Sequence, residues 1–200
     1  MQVKLILATP EIQIGEMAKI CYATKPIGDG GKDITSSLVY GHGHLAALRF
    51  AYATVSVEGI SVACQNQIVR SKHLDFMVQS KRYVNANKGG FTFIMPKGLT
   101  NAQQDMMTNS WEYALGMYKD LISHGVKKED ARAILPANTS TKMNITGNLQ
   151  AWWSFFTLRM NNHAQSEIHE VAIKIHNLLS VEYPQVFTQE QKEKFLKGEN

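Results

Sequence analysis

Gln67, Arg70, Ser71, Lys72, His73, Gln79, Ser80, Lys81, Arg82 and Tyr83 make the densest run of polar, ligand-capable side chains in the chain. Five basic or potentially basic groups fall within the thirteen residues from Arg70 to Arg82, with Phe76 and Tyr83 interleaved. Such a run sets up a local positive field that suits a phosphate. It equally fits a solvated basic helix end, where the helix dipole favours cations. Arg70 and Lys72 diverge by about 200° on a regular helix, so both can serve one anion only if a turn over residues 71–74 breaks it. Nucleic-acid binding by residues 70–88 is a reading from a different class. Against it, the rest of the chain is nearly balanced in charge, and it has no aromatic recognition motif or zinc spacing. His42 and His44 form a His-x-His pair with no third ligand at a characteristic spacing, so no metal is expected.

These groups need a scaffold, and the apolar pattern outlines one. Residues 3–6 read as a strand, and residues 11–22 as a helix with Ile12, Ile14, Met17, Ile20 and Cys21 on roughly one face. A glycine-rich loop follows over residues 26–31. Residues 45–52 look helical, residues 54–57 form a β-branched strand that Gly59 ends, and a helix is expected over residues 60–72. An aromatic strand over residues 91–95 closes at Pro96. The spacing predicts a long helix over residues 101–124, with Met106, Met107, Trp111, Leu115, Tyr118, Leu121 and Ile122 on one face and Gly125 at C′. A short helix at residues 129–135, a strand at 138–146 and helices at 148–160 and 163–180 complete a mixed α and β chain richer in helix than in sheet.

Composition limits the classes. The chain has 200 residues, 44% hydrophobic and 19% charged, with a net charge of +4, enough for one substantial core and against disorder. No window approaches the ~20 apolar residues that span a bilayer. Residues 1–8 lack a small-residue cleavage site and read as an edge strand rather than a signal peptide. Cys21 and Cys64 fit reduced thiols in a cytoplasmic protein. The mild basic balance suits an anionic small molecule as readily as nucleic acid.

The run that opened the argument also resembles a known signature. Arg70, Ser71 and Lys72, then seven residues and Ser80, then Lys81, Arg82 and Tyr83, look like the Arg-His-Arg, seven residues, Ser motif of the flavin-dependent thymidylate synthases, with its Gln-Ser-x-Arg-Tyr ending. Upstream, residues 5–22 resemble the family's opening strand, Thr-Pro turn and Cys-Tyr helix end. Glu58, Gly59, Ile60 and Ser61 lead into Gln67, Ile68, Val69 and Arg70 as the family's blocks do. Downstream, Ala131, Arg132, Ile134, Leu135 and Pro136, then Leu158 and Arg159, then His163, Ala164, Gln165, Glu167 and Ile168 match in order and spacing. About nine-tenths of the chain is covered.

The resemblance implies an α+β fold: a single domain over residues 1–200, with a twisted, mostly antiparallel sheet packed with long helices. It implies a homotetramer with active sites built between subunits. The expected reaction is C5 methylation of dUMP to dTMP, with methylenetetrahydrofolate as carbon donor, reduced FAD as hydride source and NADPH as reductant. No covalent nucleophile is implied, so catalysis rests on positioning and charge stabilisation. Ser80 and Arg82 resemble the phosphate-holding residues, with Gln67 and Arg132 as further nucleotide contacts. Arg159 resembles the arginine that reaches and polarises the pyrimidine, the catalytic residue. His44, Arg70, Ser71, Lys72, Asn148 and His163 resemble flavin contacts.

Taken singly, each has a plainer reading: Arg159 as a surface arginine, Ser80 as a cap, and the Trp152, Trp153, Phe155 and Phe156 run as a helix packed at a subunit contact. Departures fall on the flavin and folate side. Ser71 and Lys72 replace His and Arg, and Arg49 with Phe50 stand where the family has Glu-His. Gln150 stands where a flavin-facing arginine is expected, and Val78 replaces a polar residue. Three readings accommodate them: a divergent, phage-like synthase of a bacterial or phage-infected cell; methylation or hydroxymethylation of another pyrimidine nucleotide such as dCMP; or a non-catalytic nucleotide-binding homologue. The first is preferred.

Overall fold

The computed structural model describes residues 1–22, 25, 31–82 and 91–199. Tyr83, Lys88 and most of the glycine-rich loop lie outside them. Four strands form one antiparallel sheet in the order β1-β2-β4-β3. They are β1 (Gln2–Ala8), β2 (Tyr52–Ser61), β3 (Leu74–Val78) and β4 (Ser140–Asn148). Central strands β2 and β4 run the length of the sheet, from the Tyr52–Asn148 pair to the Ser61–Ser140 pair. Their inward rows, Ala53, Val55, Val57 and Ile60 on β2 and Met143 and Ile145 on β4, are buried.

Gly59 does not end β2, as its position in the sequence suggested. It sits at φ +71° in a bulge where the register shifts between Glu58 and Ile60, and the strand continues to Ser61. The helix expected over residues 60–72 is correspondingly shorter, α2 (Val62–Ile68), with Ser61 as its N-cap. Residues 69–73 turn, and β3 follows, a strand the basic run conceals. Residues 91–95 form no strand; Phe93 makes a single bridge to Thr139. Residues 45–52 divide into a 3-10 turn (Leu45–Phe50) and the start of β2.

The remaining helices are α1 (Ile12–Lys19), α3 (Asn101–Ser123), α4 (Lys128–Ala131), α5 (Leu149–Arg159), α6 (Ser166–Glu182) and α7 (Gln189–Lys197). Helix α5 is apolar nearly all round and is accordingly buried. Trp152, Phe155 and Phe156 are sealed by this chain's own sheet, α6 and α7, so the aromatic run forms an internal core rather than a subunit contact. Trp152 Nε1 donates to the Ala53 carbonyl at 3.1 Å, tying α5 to β2.

Helix α3 builds a second, smaller cluster from Trp111, Tyr118, Phe91 and Ala131. A capping box of Thr100 and Gln103 starts it, and the expected Gly125 follows its end. Of the predicted apolar face, Met106 stands 71% exposed, so the stripe is narrower than its spacing implied.

Candidate active site

Helix α2 carries the first group of candidate residues, and α5 and α6 hold it at both ends. At its start, Ser61 gives its main-chain N–H to Glu167 Oε1 at 2.7 Å and its hydroxyl to Oε2 at 2.6 Å. The Ser61 oxygen also accepts from Cys64 N at 2.9 Å. At its end, Gln67 Nε2 donates to Gln165 Oε1 at 3.2 Å, and Arg159 Nη2 donates to the Gln67 carbonyl at 2.9 Å. A helix leaves its last carbonyls unpaired, so this guanidinium satisfies one of them and complements the dipole.

Burial, reinforced by the nearby Arg70 cation, disfavours the charge on Arg159 and lowers its pKa. Its Nε is buried without a protein partner, as is the hydroxyl of Ser71 in the turn that follows α2. Burial together with Glu167 pushes the Cys64 thiol far up, so this cysteine is no nucleophile. His163 is exposed beside the same helix ends, its main-chain N–H bonded to Asn161 Oδ1 at 2.9 Å.

A second group gathers beyond the other end of β3. Lys81 Nζ donates to the Ser140 carbonyl at 3.2 Å and lies 5.8 Å from the Phe91 ring centre. Burial, and then Arg132, depress its pKa. Arg82 Nη2 pairs with Glu129 Oε2 at 2.9 Å, while Arg132 Nε donates to the Glu129 carbonyl at 3.1 Å. Ser80 Oγ accepts from Arg82 N at 3.3 Å, so its hydroxyl shapes the turn. Within one chain, therefore, Arg159, Arg70 and Gln67 keep company at one end of β3, and Ser80, Lys81, Arg82 and Arg132 at the other. The five residues of β3, about 13 Å of extended strand, run between Arg70 and Ser80.

The third feature is a cavity of about 410 Å³ lined by Arg49, His73, Asn148, Gln150, Ala151 and Ser154. Asn148 caps α5, its Oδ1 accepting from Ala151 N at 2.9 Å. Arg49 Nε donates to Gln150 Oε1 across the cavity. His73 holds φ +62°, the one described non-glycine residue with positive φ. Gly147 backs it closely: a Cβ there would meet Leu74 Cδ2 at 2.4 Å and the His73 carbonyl at 3.1 Å. His44 opens the Leu45–Phe50 turn, its ring 5.6 Å from that of His42. Among the described residues no three His, Cys, Asp or Glu side chains gather to hold a metal.

Comparison with known sequences places this arrangement. The profile of the thymidylate synthase complementing protein family matches residues 4–185. The chain belongs to this family. Among its relatives is the flavin-dependent thymidylate synthase of Geobacter sulfurreducens, 31% identical over 198 residues, covering 94% of this chain and 85% of that protein. The enzyme of the same name from Pyrococcus furiosus is 36% identical over 68% of this chain and 58% of its own length. That from Thermococcus onnurineus is 33% identical over 73% and 62%. The chain thus spans about three-fifths of the archaeal proteins and most of the bacterial one.

The two groups and the cavity take in Gln67, Arg70, Ser71, Ser80, Arg82, Arg132, Asn148, Arg159 and His163, whereas His44 and the exposed Lys72 belong to neither group and do not line the cavity. What the motifs did not single out as a site is the Arg49–Gln150 wall. Both positions stood out in the sequence only as departures, and their meeting across 101 residues has no local signal. The positive φ of His73 was equally hidden. Among the described residues no helix is long and apolar enough to cross a membrane.

Proposed function

We propose that this protein methylates C5 of dUMP to give dTMP, taking the one-carbon unit from methylenetetrahydrofolate and the hydride from reduced FAD, with NADPH as reductant. The reading rests on family membership over nearly the whole chain and, above all, on Arg159: a half-buried guanidinium anchored through Nη2 with Nε left unpaired. A pyrimidine carbonyl brought against this guanidinium would be bound more tightly as charge builds on its oxygen during the reaction.

The residues fit a flavin. Ser71 Oγ is a buried orphan two residues before His73, and the cavity that His73 helps to line is rimmed by polar side chains with no carboxylate among them. FAD, when bound, supplies the hydride. Arg70, Ser71, Lys72, His44, Asn148 and His163 would hold and orient it. Ser80, Arg82 and Arg132, with Gln67, would hold the nucleotide, the arginines forking onto its phosphate. Arg82 already pairs with Glu129, so phosphate binding would exchange one anion for another.

We also propose a homotetramer with shared sites, a reading that the placing of the cation groups supports. The two cation groups lie beyond opposite ends of β3, and a second chain could bring one subunit's Arg159 against another's Arg82. The experiment is a mass measurement of products after incubation with FAD, NADPH, methylenetetrahydrofolate and either dUMP or dCMP. A gain of one methyl group on dUMP is expected. Hydroxymethylation, reaction on dCMP alone, or no reaction would overturn the proposal.

A further inference from the structure

We propose that Arg49 is a phosphate-binding residue of the flavin site, delivering from the Leu45–Phe50 turn a cation that the β4–α5 junction does not supply. This rests on the flavin-dependent reading above. The cavity of about 410 Å³ between that turn, His73 and the start of α5 has one permanently charged lining residue, Arg49. Arg49 makes no ion pair among the described residues. Its one recorded partner is the side-chain oxygen of Gln150, which takes only Nε and fixes the plane of the guanidinium. A guanidinium fixed through Nε presents its two terminal nitrogens together, the geometry that grips two oxygens of one phosphate.

The other walls add donors without adding acid: the His73 ring and the amide of Gln150 itself, while the Ser154 hydroxyl donates to the Gln150 carbonyl at 3.1 Å. Asn148 caps α5 through Oδ1, which leaves its amide nitrogen as the donor it can offer. Lys72 precedes His73, so the flavin-contact motif runs directly into this wall. Position 150 is the second residue of α5, where the helix dipole opposes a positive charge. A cation carried by residue 49 faces the cavity without sitting in that turn. Arg49 and Gln150, which looked like two separate losses in the sequence, are in the structure one hydrogen-bonded unit.

The test is titration of the full-length protein with FAD and with riboflavin, which lacks phosphate, followed by flavin fluorescence. Arg49→Gln should weaken FAD binding by roughly tenfold or more, as expected for loss of a charge-assisted phosphate contact. Riboflavin affinity should not change. Arg49→Gln combined with Gln150→Arg should recover most of the FAD affinity by supplying the cation from the opposite wall. Thermal melts of both variants should match the parent, since Arg49 is exposed. Unchanged FAD affinity in Arg49→Gln, equal loss for riboflavin, or no recovery in the double variant would each overturn the assignment. If the parent protein binds dUMP but no FAD, the flavin reading itself fails; if the parent binds FAD and Arg49→Gln binds it equally well, only the role of Arg49 fails.

Discussion

Arg159 Nη2 lies 2.9 Å from the main-chain oxygen of Gln67, so the last turn of α5 is fastened to the last turn of α2. Gln67 in turn reaches Gln165 just before α6. The end of α2 is thereby held to the junction of α5 and α6, 92 and 98 residues further along the chain, and the guanidinium there has little freedom to wander. Preorganisation of this kind is what electrostatic catalysis needs, because a donor already in place costs no reorganisation as charge develops.

Replacing Arg159 by Ala should lower kcat by about two to three orders of magnitude, the usual effect of removing one such donor. The fold should survive, since only one helix-end carbonyl loses its partner. Product formation measured beside a circular-dichroism melt separates the two effects. Unchanged turnover would remove Arg159 from the catalytic role.

Glu167 has the opposite profile. Both of its oxygens are engaged by Ser61, one by the main chain and one by the hydroxyl, and the same hydroxyl caps α2. Glu167→Ala leaves those donors partly unsatisfied and should cost about 1–3 kcal/mol in urea denaturation. A loss well below that range would show that water replaces the carboxylate freely.

Acid should weaken the fold through His176. Its ring is buried against Phe156, Phe187 and Phe195 with both nitrogens unpartnered. Burial, and then Lys192, push its pKa from 6.5 down to about 4. The unfolded chain therefore binds this proton more readily than the folded one. The stability contribution is complete above about pH 6.5, falls as pH drops toward 4, and levels off below. At about 1.4 kcal/mol per pK unit the loss is about 3 kcal/mol. His176→Phe should flatten that part of a stability curve recorded between pH 4 and 8; an unchanged slope would locate the acid sensitivity elsewhere.

If the two cation groups meet only across subunits, two dead variants should revive each other. Arg82→Ala and Arg159→Ala, each strongly impaired alone, are expected to regain a fraction of parental turnover when unfolded together and refolded as mixed oligomers. No recovery, with mixed assembly verified by mass spectrometry, would place both groups in a site within one chain.

Much of this was legible in the sequence. The long α3 helix, the apolar α5 and the start of β1 followed from periodicity, because each buries a regular face or is buried all round. Three elements were not. Gly59 signals a break, yet a bulge uses the same backbone freedom to carry the strand onward. Helix α7 buries few residues, notably Phe195 and Gln191, and so has a weak apolar signal among its charges. Strand β3 alternates Leu74, Phe76 and Val78 inward, but exposed Met77 breaks the expected polar row and the flanking cations read as a solvated helix end. The candidate site was legible as motif blocks, whereas its division into two groups was not, since that division depends on β3.

The seven residues between Lys72 and Ser80, met first as a count, are therefore a measured length. One residue of turn, five of strand and one of exit set how far apart the two cation-bearing ends stand and which side each faces. A single-residue insertion would add only about 3 Å but would exchange the inward and outward rows, driving Met77 toward the core. Two inserted residues would keep the rows and shift one end by about 7 Å. The strand is thus both spacer and phase-keeper, and the motif's interval should tolerate changes in residue type far better than changes in number.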